Sequence, residues 1–329
     1  MVRVPTHDEL LTAHAFVRGR VRRTPLLEAP SLALATGAAR VWVKAENLQL
    51  AGSFKIWGAT WRIAQLSPEE RARGVVAFSS GNFAQGLAAA GQAAGVPVTI
   101  VMPADAPEVK RRATEGFGAR VVLSDHGERP REEVAAERAA AMARDEGLTL
   151  LHPFDDPAVV AGQAGVAIEA LEQLADLEEA PDLVLCPTGG GGLVAGVALA
   201  MRATHPGAVI VAVEPEGSNG MGLSLAAAGR VAAPGAPTLC DALMARQPGA
   251  APFAAAGAAG IGAASVTDAD TRAALSHAFE RLKIVLEPSG AAGIAALLGG
   301  RVSAEGRRVL IVASGGNIGL QTFIDILAG

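Results

Sequence analysis

The sequence predicts an α/β protein built on parallel sheets. Short apolar, β-branched runs alternate with longer helical patterns along nearly all of its 329 residues. Three of these runs end in Gly/Ser-rich turns that lead directly into helices. Half of the residues are apolar and 19% are charged, enough apolar surface to cover strands on both faces. The length favours two lobes over one.

The predicted strands are residues 41–44, 75–78, 98–101, 120–123, 182–186, 209–213 and 309–313, most of them bounded by Gly, Pro or Asp. Between them helical spacing marks 54–66, 83–94, 129–146, 192–203 and 318–327. Thr267 and Asp270 form a capping-box pattern ahead of a helix over 272–282. The charge-free stretch 249–266 is mostly Ala and Gly and contains Pro252, so it reads as buried loop and strand, not as a membrane span. No repeat or low-complexity linker divides the chain, and pattern alone places a boundary near residue 150.

Composition narrows the function. A net charge of −5 without a Lys/Arg stripe argues against a nucleic-acid partner. Cys186 and Cys240 are too few for a disulfide framework, and the N-terminus lacks an apolar signal core, which points to the cytoplasm. The six histidines are scattered without ligand spacing, and no Gly-x-Ser-x-Gly elbow occurs, so metal catalysis and serine hydrolysis are poorly supported.

Only four of the 28 basic residues are lysines, and one of them, Lys55, stands between a Gly-Ser turn and a helical run. A lysine amine can lose its proton and attack a carbonyl, which an arginine cannot do. The first strand–turn–helix junction, Ser79-Ser80-Gly81-Asn82-Phe83-Ala84-Gln85, sets hydroxyls and amides at a helix start; alone it is an ordinary N-cap. The second, Gly189-Gly190-Gly191-Gly192, costs backbone entropy and suits the close approach of a phosphate. It is neither a Walker loop nor a spaced dinucleotide fingerprint. The third, Ser314-Gly315-Gly316-Asn317, puts a hydroxyl at a strand tip.

Gly-Ser-Phe-Lys-Ile, Ser-Ser-Gly-Asn-x-x-Gln, the tetraglycine loop and Ser-Gly-Gly-Asn lie in the order and approximate spacing of fold-type II pyridoxal-phosphate (PLP) enzymes. The chain most resembles the serine/threonine dehydratase (ammonia-lyase) and serine racemase group, from the Arg23-Thr24-Pro25-Leu26 stretch to the last helix. The resemblance implies two open parallel-sheet lobes, as in the tryptophan synthase β chain, with PLP in the cleft between them, and a homodimer. It implies a large cofactor-binding domain of residues 1–49 and 150–329 and a small substrate-facing domain of 50–149. It implies that Lys55 holds PLP as a Schiff base and moves the substrate's α-proton, with Ser80 where racemases carry a second base. Phe54 would pack on the pyridine ring, Asn82 would bond the phenolic oxygen, and Gly189 to Gly192 would cradle the phosphate. Ser314 would face the ring nitrogen, and Ser79, Ser80, Gly81, Phe83 and Gln85 would meet the amino-acid substrate.

The implied reaction is α,β-elimination from an L-β-hydroxy amino acid, giving a 2-oxo acid and ammonia. A neutral hydroxyl at Ser314 makes the ring a weaker electron sink than a carboxylate would, which suits elimination. The family's usual histidine after the loop asparagine is Phe83 here, and the usual arginine two residues after the lysine is Trp57. Both aromatics suggest a pocket for a larger β-substituent, as in phenylserine, or alternatively helix packing. Glu214 matches a cation-binding glutamate, but its expected acidic partner is missing, leaving a monovalent ion as the alternative to no ion. Glu287-Pro288-Ser289-Gly290 matches a family segment without a role readable from sequence. Competing functions are a racemase or hydroxyaspartate dehydratase on the same fold, an NAD-dependent oxidoreductase and a non-catalytic binding protein.

Overall fold

The computed structural model describes residues 2–329, in which ten strands form two sheets. The strands are β1 (Leu26–Glu28), β2 (Arg40–Ala45), β3 (Val75–Phe78), β4 (Val98–Pro103), β5 (Arg120–Ser124), β6 (Thr149–Leu151), β7 (Leu183–Pro187), β8 (Val209–Pro215), β9 (Gly262–Val266) and β10 (Arg308–Ala313). One sheet has the order β1-β2-β10-β7-β8-β9 and the other β5-β4-β3-β6. All neighbours pair in parallel except β1, which lies antiparallel on β2.

All seven expected strands are present, each within two residues of its expected ends. They were visible because both faces of the sheets are covered. In the large sheet Trp42, Val184, Ile210, Leu310 and Val312 turn to one core. Val41, Val43, Leu183, Leu185, Val211, Val309 and Ile311 turn to a second core on the other face. Alternation of this kind reads as an unbroken apolar run. The first core is continuous with Val75, Ala77 and Ile100 of the small sheet, so one buried cluster joins the two sheets.

Three strands, β1, β6 and β9, lie outside the seven predicted runs. β1 and β6 are three residues each, and β9 is the Ala/Gly-rich edge strand Gly-Ala-Ala-Ser-Val. The stretch 249–266 corrects the loop reading: Ala250–Ala259 is a helix running into β9. Alanine is the strongest helix former, and Pro252 falls in the first turn, where a missing N–H costs little. The Thr267 capping box forms as expected, Thr267 Oγ1 accepting from Asp270 N at 3.1 Å and Asp270 Oδ2 from Thr267 N at 2.9 Å. No helix among the described residues is long and apolar enough to cross a membrane.

Behind the large sheet lies a buried charge cluster. Lys44 Nζ donates to the Thr24 carbonyl at 2.8 Å, to Gln173 Oε1 at 2.9 Å and to the Glu169 carboxylate. The Glu46 carboxyl, pushed above the usual carboxylate range by burial, accepts from Thr24 Oγ1 and from Trp57 Nε1 at 3.0 Å. Trp57 is fully buried, with His14 stacked on its ring at 5.7 Å, and a Cβ on Gly165 would lie 2.4 Å from it. This corrects the pocket reading of Trp57: its indole anchors the lysine helix to the core.

Removing one partner from a buried ion pair leaves an uncompensated charge. Lys44→Met is therefore expected to lower stability by about 3–5 kcal/mol. Urea denaturation should show most of that loss recovered in Lys44→Met/Glu169→Leu. A loss below about 1 kcal/mol for the single variant would show that the cluster is not a structural clamp.

Candidate active site

β2 and β10 pair in parallel with Ala45 opposite Ala313, so the turns beyond them leave the sheet side by side. The two turns are joined by a backbone zipper: Phe54 N donates to the Ser314 carbonyl at 3.1 Å and Gly316 N to the Gly52 carbonyl at 3.0 Å, around a Ser53–Gly315 bridge. Lys55 follows as the first residue of the helix Lys55–Ala64. Its Nζ donates to the Pro153 carbonyl at 3.1 Å and lies 5.3 Å from the Phe54 ring centre and 5.7 Å from that of Phe83. Burial lowers the Lys55 pKa from 10.5 to about 8, the Glu287 carboxylate opposing the shift. At pH 7 about a tenth of such amines are neutral, far more than in a free lysine. Phe83, unlike Trp57, does reach the lysine.

The Ser79–Asn82 turn follows β3. Gly81 N donates to Ser79 Oγ at 3.2 Å, and Asn82 opens the helix Asn82–Ala94. The Asn82 amide is held at both ends: Nδ2 donates to Glu287 Oε1, and Oδ1 accepts from Asn317 Nδ2 at 2.9 Å. The hydroxyl of Ser80 turns to Glu132 Oε1 at 2.9 Å, with Arg131 Nη2 at 3.5 Å, so its hydrogen-bond partners are these two residues and not Lys55. Gln85 is buried on the same helix, and its Nε2 has no partner among the described residues.

The tetraglycine loop follows β7, the neighbour of β10. The N–H groups from Gly189 to Val194 donate to no carbonyl or side chain among the described residues. They form a row of free donors at the start of the helix Gly192–Thr204, a place suited to an anion. The loop is held tightly from behind. A Cβ on Gly190 would lie 2.4 Å from the Phe154 ring, so only glycine fits there. Ser314, 4% exposed, accepts Phe54 N through its carbonyl, and its hydroxyl has no protein partner among the described residues.

Several neighbours, Glu287 among them, had no role readable from sequence. Glu287 is buried beside Asn82, and burial pushes its pKa up to about 7 against the pull of Lys110, Asn82 and Lys55. Lys110, from the helix Glu108–Gly116, pairs with Asp241, whose neighbour Ala242 donates to Ser289 Oγ at 3.0 Å. The signal available for Lys110 was that it is another of the four lysines. Pro153 and Phe154 carried no signal, because one contributes a carbonyl and the other a packing face. Glu214 is not brought to this cluster. Its carboxylate accepts Met221 N and Gly222 N, each at 2.8 Å, at the start of the helix Gly220–Ala226, and burial pushes it up to about 7. No group of three His, Cys, Asp or Glu residues that could hold a metal occurs among the described residues.

A desolvated amine, a row of free amides and an unengaged hydroxyl fit three of the four polar groups of PLP, its aldehyde, phosphate and ring nitrogen, and the Asn82 amide fits the fourth, the phenolic oxygen. Comparison with known proteins agrees. The family described as "Pyridoxal-phosphate dependent enzyme" matches residues 17–315. The chain is 39% identical over 322 residues to an L-threonine ammonia-lyase of Thermotoga maritima, covering 98% of this chain and 78% of that one. It is 36% identical to an L-threo-3-hydroxyaspartate ammonia-lyase of Saccharomyces cerevisiae, covering 99% and 97%. Among solved structures, maize serine racemase superposes with a TM-score of 0.91 at 32% identity, covering 99% of this chain and 98% of that one. The chain therefore belongs to the family of pyridoxal-phosphate-dependent enzymes, on the fold shared by serine racemase.

Proposed function

We propose that this protein is a PLP-dependent ammonia-lyase that converts an L-β-hydroxy amino acid to a 2-oxo acid and ammonia. The observation that carries the reading is the zipper that joins the turn ahead of the low-pKa Lys55 amine to the turn bearing the unengaged Ser314 hydroxyl. PLP, when bound, supplies an electron sink conjugated to the substrate's α-carbon. Lys55 would carry it and then move the α-proton. Gly189, Gly190, Gly191 and Gly192 would hold the phosphate, Asn82 the phenolic oxygen and Phe54 one ring face. Ser314, as a neutral donor or acceptor, would meet the ring nitrogen without stabilising its protonated form, which favours elimination over chemistry that needs long-lived carbanion charge. Ser79, Ser80, Gly81 and Gln85 would bind the substrate carboxylate, and Phe83 would border its β-substituent.

Relatives named for threonine and for threo-3-hydroxyaspartate bracket the substrate class. Racemisation is a second reading, supported by Ser80, whose hydroxyl donates to the Glu132 carboxylate as a proton-accepting serine would. The same reading places the substrate-facing part in residues 50–149 and the cofactor-binding part in 1–49 and 150–329. It includes a cytoplasmic homodimer: the two cysteines are free and buried, and Phe279, Val285, Leu320 and Ile324 are exposed apolar side chains that a partner subunit would cover.

Ammonia release from L-serine, L-threonine, L-threo-3-hydroxyaspartate and L-threo-phenylserine tests the reading. At least one substrate is expected to react, with a loss of about a hundredfold to ten-thousandfold or more in Lys55→Ala. Silence across the panel from PLP-loaded protein would overturn it, and a D-amino acid without ammonia would give the racemase reading its place. A second expectation concerns pH. The rate at which Lys55 captures PLP should rise with pH around a midpoint near 8, because only the neutral amine attacks. Glu287→Gln removes a charge that favours the ammonium form, so the midpoint should move lower. Stopped-flow absorbance would measure both, and a wild-type midpoint near 10.5 would sink the burial argument.

A further inference from the structure

Glu287 has the geometry of a part of the site without an assigned role. It precedes the helix Pro288–Leu298, and its backbone N–H donates to the Gly315 carbonyl at 3.2 Å, which ties it to the turn bearing Ser314. Its carboxyl sits where a Cβ on Gly315 would lie 2.2 Å from Oε1, so glycine at 315 is the condition for its presence. Oε1 accepts from Asn82, and the buried Oε2 has no partner among the described residues. The charged groups around it are Lys110, Asp241 and Lys55.

The orientation of the Asn82 amide can be reasoned from both ends. A carbonyl can only accept, so the Asn317 group at 2.8 Å from the Ala51 carbonyl is its NH2. The same NH2 lies 2.9 Å from Asn82, which must therefore present its oxygen there. The nitrogen of Asn82 is then turned to Glu287, and an ionised carboxylate can only accept from it. One N–H of Asn82 remains uncommitted, next to Gly315.

Resting on the PLP reading above, we propose that Glu287 is a positioning residue of the cofactor site: with Asn317 it locks the Asn82 amide so that an N–H, not a carbonyl, is offered to the phenolic oxygen of PLP. An amide free to turn over would set two acceptor oxygens against each other.

The test is a double-mutant cycle on the full-length holoenzyme, read by PLP retention on dilution and by the ratio of the cofactor's absorption bands, both independent of turnover. Glu287→Leu is expected to weaken retention by about tenfold to a hundredfold and to change the band ratio. Asn82→Ala should do the same, and the double variant should be no worse than Asn82→Ala alone. Glu287→Gln, which can still accept, should stay within about threefold of wild type. Should Glu287→Leu fail to fold, Glu287→Asp withdraws the acceptor by one methylene and is expected to match it. Multiplying effects in the double variant, or a Glu287→Asp protein with wild-type retention and spectrum, overturns the proposal while leaving the ammonia-lyase reading intact. Wild-type protein that binds no PLP overturns both.

Discussion

The backbone pairing of residues 52–54 with 314–316 is the constraint on which the site depends. These segments stand near opposite ends of the sequence and meet because β2 and β10 lie side by side in register, Ala45 opposite Ala313. The two hydrogen bonds around the Ser53–Gly315 pair then fix where Lys55 begins its helix relative to the Ser314 hydroxyl. Glu287 joins the same junction through Gly315, and Asn317 ties it to Ala51 and Asn82. A slip of β2 against β10 by one residue would turn every side chain to the other face and separate the amine from the hydroxyl together.

Lys44 and Lys55 show how differently one fold treats the same side chain. Lys44 has three acceptors, one of them a carboxylate, and serves as an anchor. Lys55 has one carbonyl and two aromatic faces, and the opposing charge that acts on it is that of Glu287, without a direct ion pair. Desolvation without full pairing is what brings its amine toward neutrality, the state chemistry on carbonyls requires. The anchor also steadies the start of the Lys55 helix. Trp57, held by Glu46 and His14, fixes the helix that begins with Lys55.

Much of this was legible because burial on both faces writes long β-branched runs into a sequence, and glycine-rich turns mark where backbone must stay bare. The strands that escaped notice, β1 and β6, are too short to show a period, and β9 carries little β-branched signal. The helix Ala250–Ala259 was hidden by its own composition, since alanine and glycine without charges show no polar face. Phe83 and Trp57 looked equivalent beside Lys55, and both lie in the same buried cluster, yet only Phe83 sets its ring near the amine. Helical phase separates them, and a sequence does not state which face of a helix meets the cleft.

By itself the sequence determined the α/β class, the rare lysine at a helix start, the glycine run at Gly189 to Gly192 and the strand-tip hydroxyl, because each follows from local composition or period. Only the tertiary structure decided that Glu287 holds Asn82, that Ser80 is bound to Glu132, that Glu214 caps a helix, and that Pro153 receives the Lys55 amine. Those outcomes depend on which strand ends share an edge of a sheet, and that is set by non-local pairing and shared burial, which no window of the sequence contains.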